Sequence, residues 1–286
     1  MLADGTSMLR DLRRTGRAVA AITTYTLEST RAIVSAAEQA EQPVILQAGS
    51  SSFGAVGRDA LAAACLAAAR AASVPVGVHL DHSTDREEIS DCLGLGYTSV
   101  MVDGSHLPFE RNVSLTRAVV EEAHACGTWV EGELGALAGN EDSSSGATPG
   151  ETTDPDLAAE FVERTGVDAL AVAVGNVHGF TDAPVRLDLE ALGRIAAVVG
   201  APLVLHGASG VPDREVAEAV ALGVVKVNIN AELRRAYVEA LRAGLAAVGD
   251  DVRVLQERAM AALSAVALDK IALLTRSVDE RREAAS

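Results

Sequence analysis

Short runs of aliphatic and β-branched residues alternate along the chain with longer stretches in which Ala, Leu, Glu and Arg recur at helical spacing. The apolar runs fall at residues 18–23, 43–48, 75–81, 99–103, 128–134, 169–174, 202–206 and 224–229. Several, such as Leu170-Ala171-Val172-Ala173-Val174, are apolar at every position, as strands covered on both faces require. Helical patterns lie between them, near 29–41, 58–72, 84–94, 109–126, 155–165, 188–199, 212–222 and 231–247. Asp154-Pro155 supplies an N-cap followed by proline at the first helical position. Strand–helix alternation is the mark of a parallel sheet, and eight such units predict a (β/α)8 barrel, the TIM-barrel architecture. The competing open, doubly wound sheet would want a GxGxxG turn after its first strand, and Ile22-Thr23-Thr24-Tyr25-Thr26 offers none. An extra C-terminal helix is expected over about 252–274, followed by a charged tail after Thr275 that is expected to be mobile. One stretch breaks the rhythm: 135–153 is rich in Gly, Ser, Asn and Asp and has no periodicity. It follows the fifth strand, so it reads as a mobile active-site loop.

Length and composition fit this outline. The 286 residues accommodate one barrel, assigned here as a single domain over 1–286. Aromatic residues are only 3% of the chain, so the core must be built from Val, Leu, Ile and Ala. The formal net charge of −16, without a Lys/Arg cluster, argues against nucleic-acid and anionic-membrane partners. No apolar segment has the length of a signal peptide core or a membrane span. The three cysteines, Cys65, Cys92 and Cys126, are widely separated and read as reduced, so a cytoplasmic setting is expected.

Barrels place their chemistry at the C-terminal ends of the strands, and polar residues collect there. Asp81-His82 closes the third strand, Asp103 the fourth and Glu133 the fifth; His178 follows the sixth, His206 ends the seventh, and Asn228 and Asn230 end the eighth. A histidine in isolation is more often a hydrogen-bonded structural residue. Three on one rim with an open fourth position make a catalytic zinc site, and His82, His178 and His206 are read that way. Of the remaining histidines, His124 is read as a surface or packing residue, His79 as a core residue, and His106 as a rim residue without an assigned role. Asp81, beside a metal ligand, suits a base that removes a proton from a substrate hydroxyl, with helix N-capping as the alternative. The glycine-rich turn Gly207-Ala208-Ser209-Gly210 and the segment Asn228-Ile229-Asn230-Ala231 follow strands seven and eight. Loops at those positions commonly bind phosphate. Lys226 is a candidate for supporting the same anion.

These segments, HLDHS at 79–83, VDGSH at 102–106, EGELG at 131–135, the run from Thr153 to Gly179, LVLHGASG at 203–210 and KVNIN at 226–230, resemble the zinc-dependent class II ketose-bisphosphate aldolases of the fructose/tagatose-bisphosphate group. The resemblance spans about residues 8–275. It implies one catalytic Zn2+ per subunit on His82, His178 and His206, and makes Asp81 the acid/base at the C4 hydroxyl. It places Glu133, with Asp103 nearby, behind the metal or at an alternative metal position. Glu141 matches the loop glutamate that exchanges a proton with the triose carbon. Gly179, Gly207, Ser209, Asn228 and Asn230 match triose-contacting positions, with Ala208, Ile229 and Ala231 in the same segments. A monovalent cation (Na+ or K+) near the phosphate and a homodimer or homotetramer are implied as well. The expected reaction is reversible cleavage of a ketose such as fructose or tagatose 1,6-bisphosphate into dihydroxyacetone phosphate and an aldehyde such as glyceraldehyde 3-phosphate. Three positions depart from the pattern: Thr23 where relatives carry Asn, Ala231 where they carry a hydroxyl residue, and the Ser50-Ser51-Ser52 segment. Two other classes fit less well. A metal-dependent hydrolase would favour an HxH pair on the first strand, which is absent. A non-catalytic binding subunit sits poorly with an intact Asp81/Glu141/three-histidine set.

Overall fold

The computed structural model describes residues 1–3, 5–139, 150–179 and 185–276. Its eight strands, β1 (Val19–Thr23), β2 (Val44–Ala48), β3 (Val76–Ser83), β4 (Ser99–Val102), β5 (Trp129–Leu134), β6 (Ala169–Val172), β7 (Leu203–Leu205) and β8 (Val224–Ile229), form a closed parallel barrel in sequential order. The helices are α1 (Gly5–Thr15), α2 (Leu27–Ala40), α3 (Ser50–Val56), α4 (Arg58–Ala71), α5 (Arg86–Leu95), α6 (Phe109–Ala125), α7 (Pro155–Thr165), α8 (Leu189–Val198), α9 (Asp213–Ala221), α10 (Ala231–Val248) and α11 (Val252–Thr275). The expected barrel and C-terminal helix are both present, with element ends shifted by at most two residues. Asp154 caps α7 as expected, its carboxylate accepting from the Asp156 and Leu157 N–H groups at 2.9 and 3.0 Å. No described helix is long and apolar enough to cross a membrane.

Two helices were not anticipated. Helix α1 closes the bottom of the barrel. Met8, Leu9 and Leu12 project from one of its faces into an apolar layer made by Val19, Ala21, Ile45, Trp129, Ala171 and Val204. Helix α3 is a seven-residue turn built from the serine segment after β2. A larger core lies between the barrel wall and the outer helices.

Two register shifts adjust which side chains enter the barrel. Across β7 and β8, Leu203 faces Val224 but Val204 faces Lys226, so Val225 is an extra residue. Across β3 and β4, Leu80 faces Val100 but Ser83 faces Val102, so Asp81 and His82 together oppose a single residue. This is a β-bulge, a device that re-aims side chains.

Candidate active site at the C-terminal rim of the barrel

Successive strand residues point to opposite faces, so a regular β3 would turn either Asp81 or His82 away from the axis. The bulge removes that choice. His82 takes a left-handed backbone with φ of 46°, rare for a residue with a Cβ. Both side chains thereby reach one cavity of about 280 Å³ at the strand ends, whose walls also include Asp103, Glu133 and His178.

Ring nitrogens of His82, His178 and His206 lie within 4.8 Å of one another, as do ligand atoms of His82, Asp103 and Glu133. The hydrogen-bond partners assign the tautomers. His206 Nε2 stands 2.6 Å from Glu131 Oε1. A carboxylate only accepts, so Nε2 carries the proton and Nδ1 presents its lone pair. His82 Nδ1 meets Asp103 Oδ2 at 3.2 Å. Burial acts to raise the Asp103 carboxyl, but the hydrogen bond from His82 and two hydrogen bonds from Ser105 oppose it, and the group is held below the usual carboxylate range. Asp103 is therefore an acceptor too, and His82 presents a lone pair at Nε2. The two lone-pair nitrogens face each other at 2.7 Å. That contact is repulsive unless a cation lies between or beside them. A carboxylate behind each ring is the arrangement that orients histidine ligands toward a metal. The donor set thus fits a zinc-type dication.

Beneath the rim, the inward positions of β5 and β8 form a polar column. Trp129, Glu131 and Glu133 alternate along β5. Lys226, fully buried on β8, forms an ion pair with Glu131 at 2.9 Å and donates to Asn228 Oδ1 at 2.6 Å. With its oxygen so engaged, Asn228 turns its amide nitrogen to Asp81 Oδ1 (3.1 Å) and His206 Nδ1 (3.2 Å). Gln47 Nε2 holds the other Asp81 oxygen at 3.0 Å. Asp81 is thus clamped by two amides, and helix capping is performed instead by Asp85, whose side chain accepts from Glu87 N–H. Lys226 is turned away from its expected place beside an anion. Its ammonium is neutralised by Glu131 inside the barrel and orients Asn228. His79 is the core histidine expected, with Nδ1 2.8 Å from Ser99 Oγ and its ring stacked on Trp129. His124 pairs with Asp168 at the surface at 2.8 Å. His106 does line the cavity.

Burial pushes Glu133 up to about 8, with the nearby Asp103 and Glu131 charges adding and His82 opposing. Its Oε2 is 3.6 Å from His82 Nδ1. Of the residues expected to bind substrate, Asn230 lines the cavity, whereas Asn228 lies below it. The Ile229 side chain faces outward into the core, and Ala231, also buried, begins α10. The turn holding Gly207, Ala208 and Ser209 packs tightly against the segment before His178, and Gly179 follows that histidine with a positive φ of 81°. Glu141 and the tail after residue 276 lie outside the described residues. Gly139, two positions before Glu141, borders the cavity and bridges to His178.

Gln47 and Glu131 had no role in the reading of the sequence. Their signal was available: Gln47 is the one polar residue of β2, and Glu131 shares the inward face of β5 with Glu133.

Comparison with known proteins gives a consistent result. The family model for "Fructose-bisphosphate aldolase class-II" matches residues 3–279. The YdjI aldolase from Escherichia coli K12 is 35% identical, with a TM-score of 0.88 covering 98% of this chain and 100% of that one. A putative fructose-1,6-bisphosphate aldolase from Coccidioides immitis is 34% identical, with a TM-score of 0.86 over 98% and 97% of the two chains. Fructose-bisphosphate aldolase from Campylobacter jejuni, 23% identical, shares the fold with a TM-score of 0.78 over 96% and 95%.

Proposed function

The chain belongs to the class II fructose-bisphosphate aldolase family, and on that footing we propose that it is a zinc-dependent aldolase reversibly cleaving a phosphorylated ketose into dihydroxyacetone phosphate and an aldehyde. The observation that carries this reading is the convergence of His82, His178 and His206 beside an Asp81 clamped by Gln47 and Asn228.

His82, His178 and His206 would hold one zinc ion. When bound, the metal supplies Lewis acidity that stabilises negative charge on the oxygen of the former carbonyl. Asp81 takes the proton from the C4 hydroxyl, the C3–C4 bond breaks, and its electron pair stays with C3 as the aldehyde forms. Glu141 returns a proton to C3. Gly139, two positions before it in the chain, borders the cavity. Asp103 and Glu131 fix the tautomers of His82 and His206. Glu133, with Asp103, marks an alternative metal position. Backbone N–H groups of the turn after β7 and the N-terminus of α10 would receive the triose phosphate.

Asp81→Asn and His206→Ala are each expected to lower kcat/KM for ketose cleavage by about 10²–10⁴-fold, with activity of the parent lost on chelation and regained with zinc. Undiminished activity after exhaustive metal removal would overturn the proposal.

A further inference from the structure

The wall of the cavity at the strand ends is polar but carries no cationic side chain among its described lining residues. Beyond the metal cluster, its wall includes Thr23, Ser50, Ser51, Ser52, His106 and Asn230 beside Gly49, Leu137 and Gly139, and none of the described residues lining it is Lys or Arg. Lys226 is fully buried against Glu131 and Asn228, and Lys270 is held at 2.9 Å by both Asp213 and Glu232. The sequence extends this result to the segments flanking the site. Residues 140–149 contain Glu141 and Asp142 but no basic residue, and residues 180–184 contain Asp182 but no basic residue.

The serine wall is backed by negative charge. Ser50 Oγ donates to Glu88 Oε2 at 2.8 Å, and Ser83 Oγ donates to the same oxygen at 2.7 Å. Of the backbone donors at that wall, the Ser52 and Phe53 N–H groups already donate to the Gly49 carbonyl. A phosphate placed there would lose hydration and meet a carboxylate without a counterion, whereas phosphate recognition depends on Arg, Lys or convergent backbone N–H groups. Hydroxyls and an imidazole match the donors and acceptors of an uncharged polyol instead.

We infer that the aldehyde half of the substrate is an uncharged polyhydroxyaldehyde, so the enzyme acts on a ketose 1-phosphate and not on a ketose bisphosphate. This rests on the aldolase reading above and departs from the bisphosphate expected from the family resemblance. The only basic residues outside the described set are Arg281 and Arg282 in the C-terminal tail.

The test is condensation by the full-length, zinc-loaded protein of dihydroxyacetone phosphate with a panel of aldehydes: glyceraldehyde 3-phosphate, glyceraldehyde, and four- and five-carbon aldoses. The best uncharged aldehyde is expected to exceed glyceraldehyde 3-phosphate in kcat/KM by about tenfold or more. Equal or better use of glyceraldehyde 3-phosphate would overturn the inference and leave the aldolase reading standing. If such use disappeared in an Arg281→Ala/Arg282→Ala variant, the tail would be the missing cation and the inference would fall equally. Condensation with no aldehyde at all would instead sink the aldolase reading itself.

Discussion

Glu131 makes two contacts with opposite consequences for the rest of the site. One oxygen accepts from His206, fixing which ring nitrogen faces the metal position, and the other neutralises Lys226. Glu131→Gln keeps the shape but removes the charge that both partners need. Zinc affinity, measured by competition with a chelating dye, should fall by about 10–100-fold. Stability should fall by about 3–5 kcal/mol, because a buried ammonium is left unpaired, and adding Lys226→Met should recover part of that loss. Glu133 sets a different kind of dependence. In the metal-free protein its folded-state value of about 8 lies above the ordinary 4.5. The folded state therefore retains a proton that the unfolded chain releases, and this contribution is fully present below pH 4.5 and lost as pH rises through 8. The urea midpoint of the metal-free protein should decline across that window, and Glu133→Gln should flatten the decline. Alternation along EGELG places Glu131 and Glu133 on one face from sequence alone. Which partners meet them depends on the stagger of β3, β7 and β8 around the barrel, and a single strand carries no record of that.

At the level of elements, the strands were legible because burial on both faces leaves apolar runs with sharp polar ends. Helix α3 was not, because Ser-Ser-Ser-Phe-Gly has weak helical preference and its turn is imposed by the strand end that precedes it. Helix α1 is short, and its apolar face matters only once a barrel floor exists for it to cover. The bulge in β3 was half legible: the adjacent Asp81 and His82 demanded a break in alternation, but not its form. The turn after β7 shows how close such segments approach one another. Gly207 has φ of 60°, and a Cβ there would stand 2.1 Å from the Val177 carbonyl oxygen, one residue before His178. Gly207→Ala must push the two turns apart. We expect KM for the ketose phosphate to rise about tenfold or more, with a lower thermal midpoint, since a non-glycine residue is also strained at that φ.

The three histidines come from β3, the segment after β6 and the segment after β7, so a metal held by them would tie together turns separated by up to 124 positions in the chain. An ion that binds only the folded state adds stability by mass action, about 2.7 kcal/mol at one hundred times Kd. Removing zinc from the whole protein should therefore lower Tm by several degrees, at about 2–4 °C per kcal/mol for a chain of this size. Readdition of zinc should restore the midpoint, and His178→Ala should abolish the response. Eight-fold closure was legible from the count of strand–helix units, whereas the floor beneath it was not.

That floor includes the only tryptophan in the chain. Trp129 is 2% exposed, its indole lies 5.4 Å from the His79 ring in a stacked pair, and Glu131, two residues on, contacts His206. The barrel therefore carries a single indole, shielded from water, two residues along β5 from the carboxylate that contacts His206. Adding zinc to the metal-free protein is expected to shift its emission, so that an event at the rim would be read as light from the opposite end of the barrel; an unchanged spectrum would show that the two ends are not coupled.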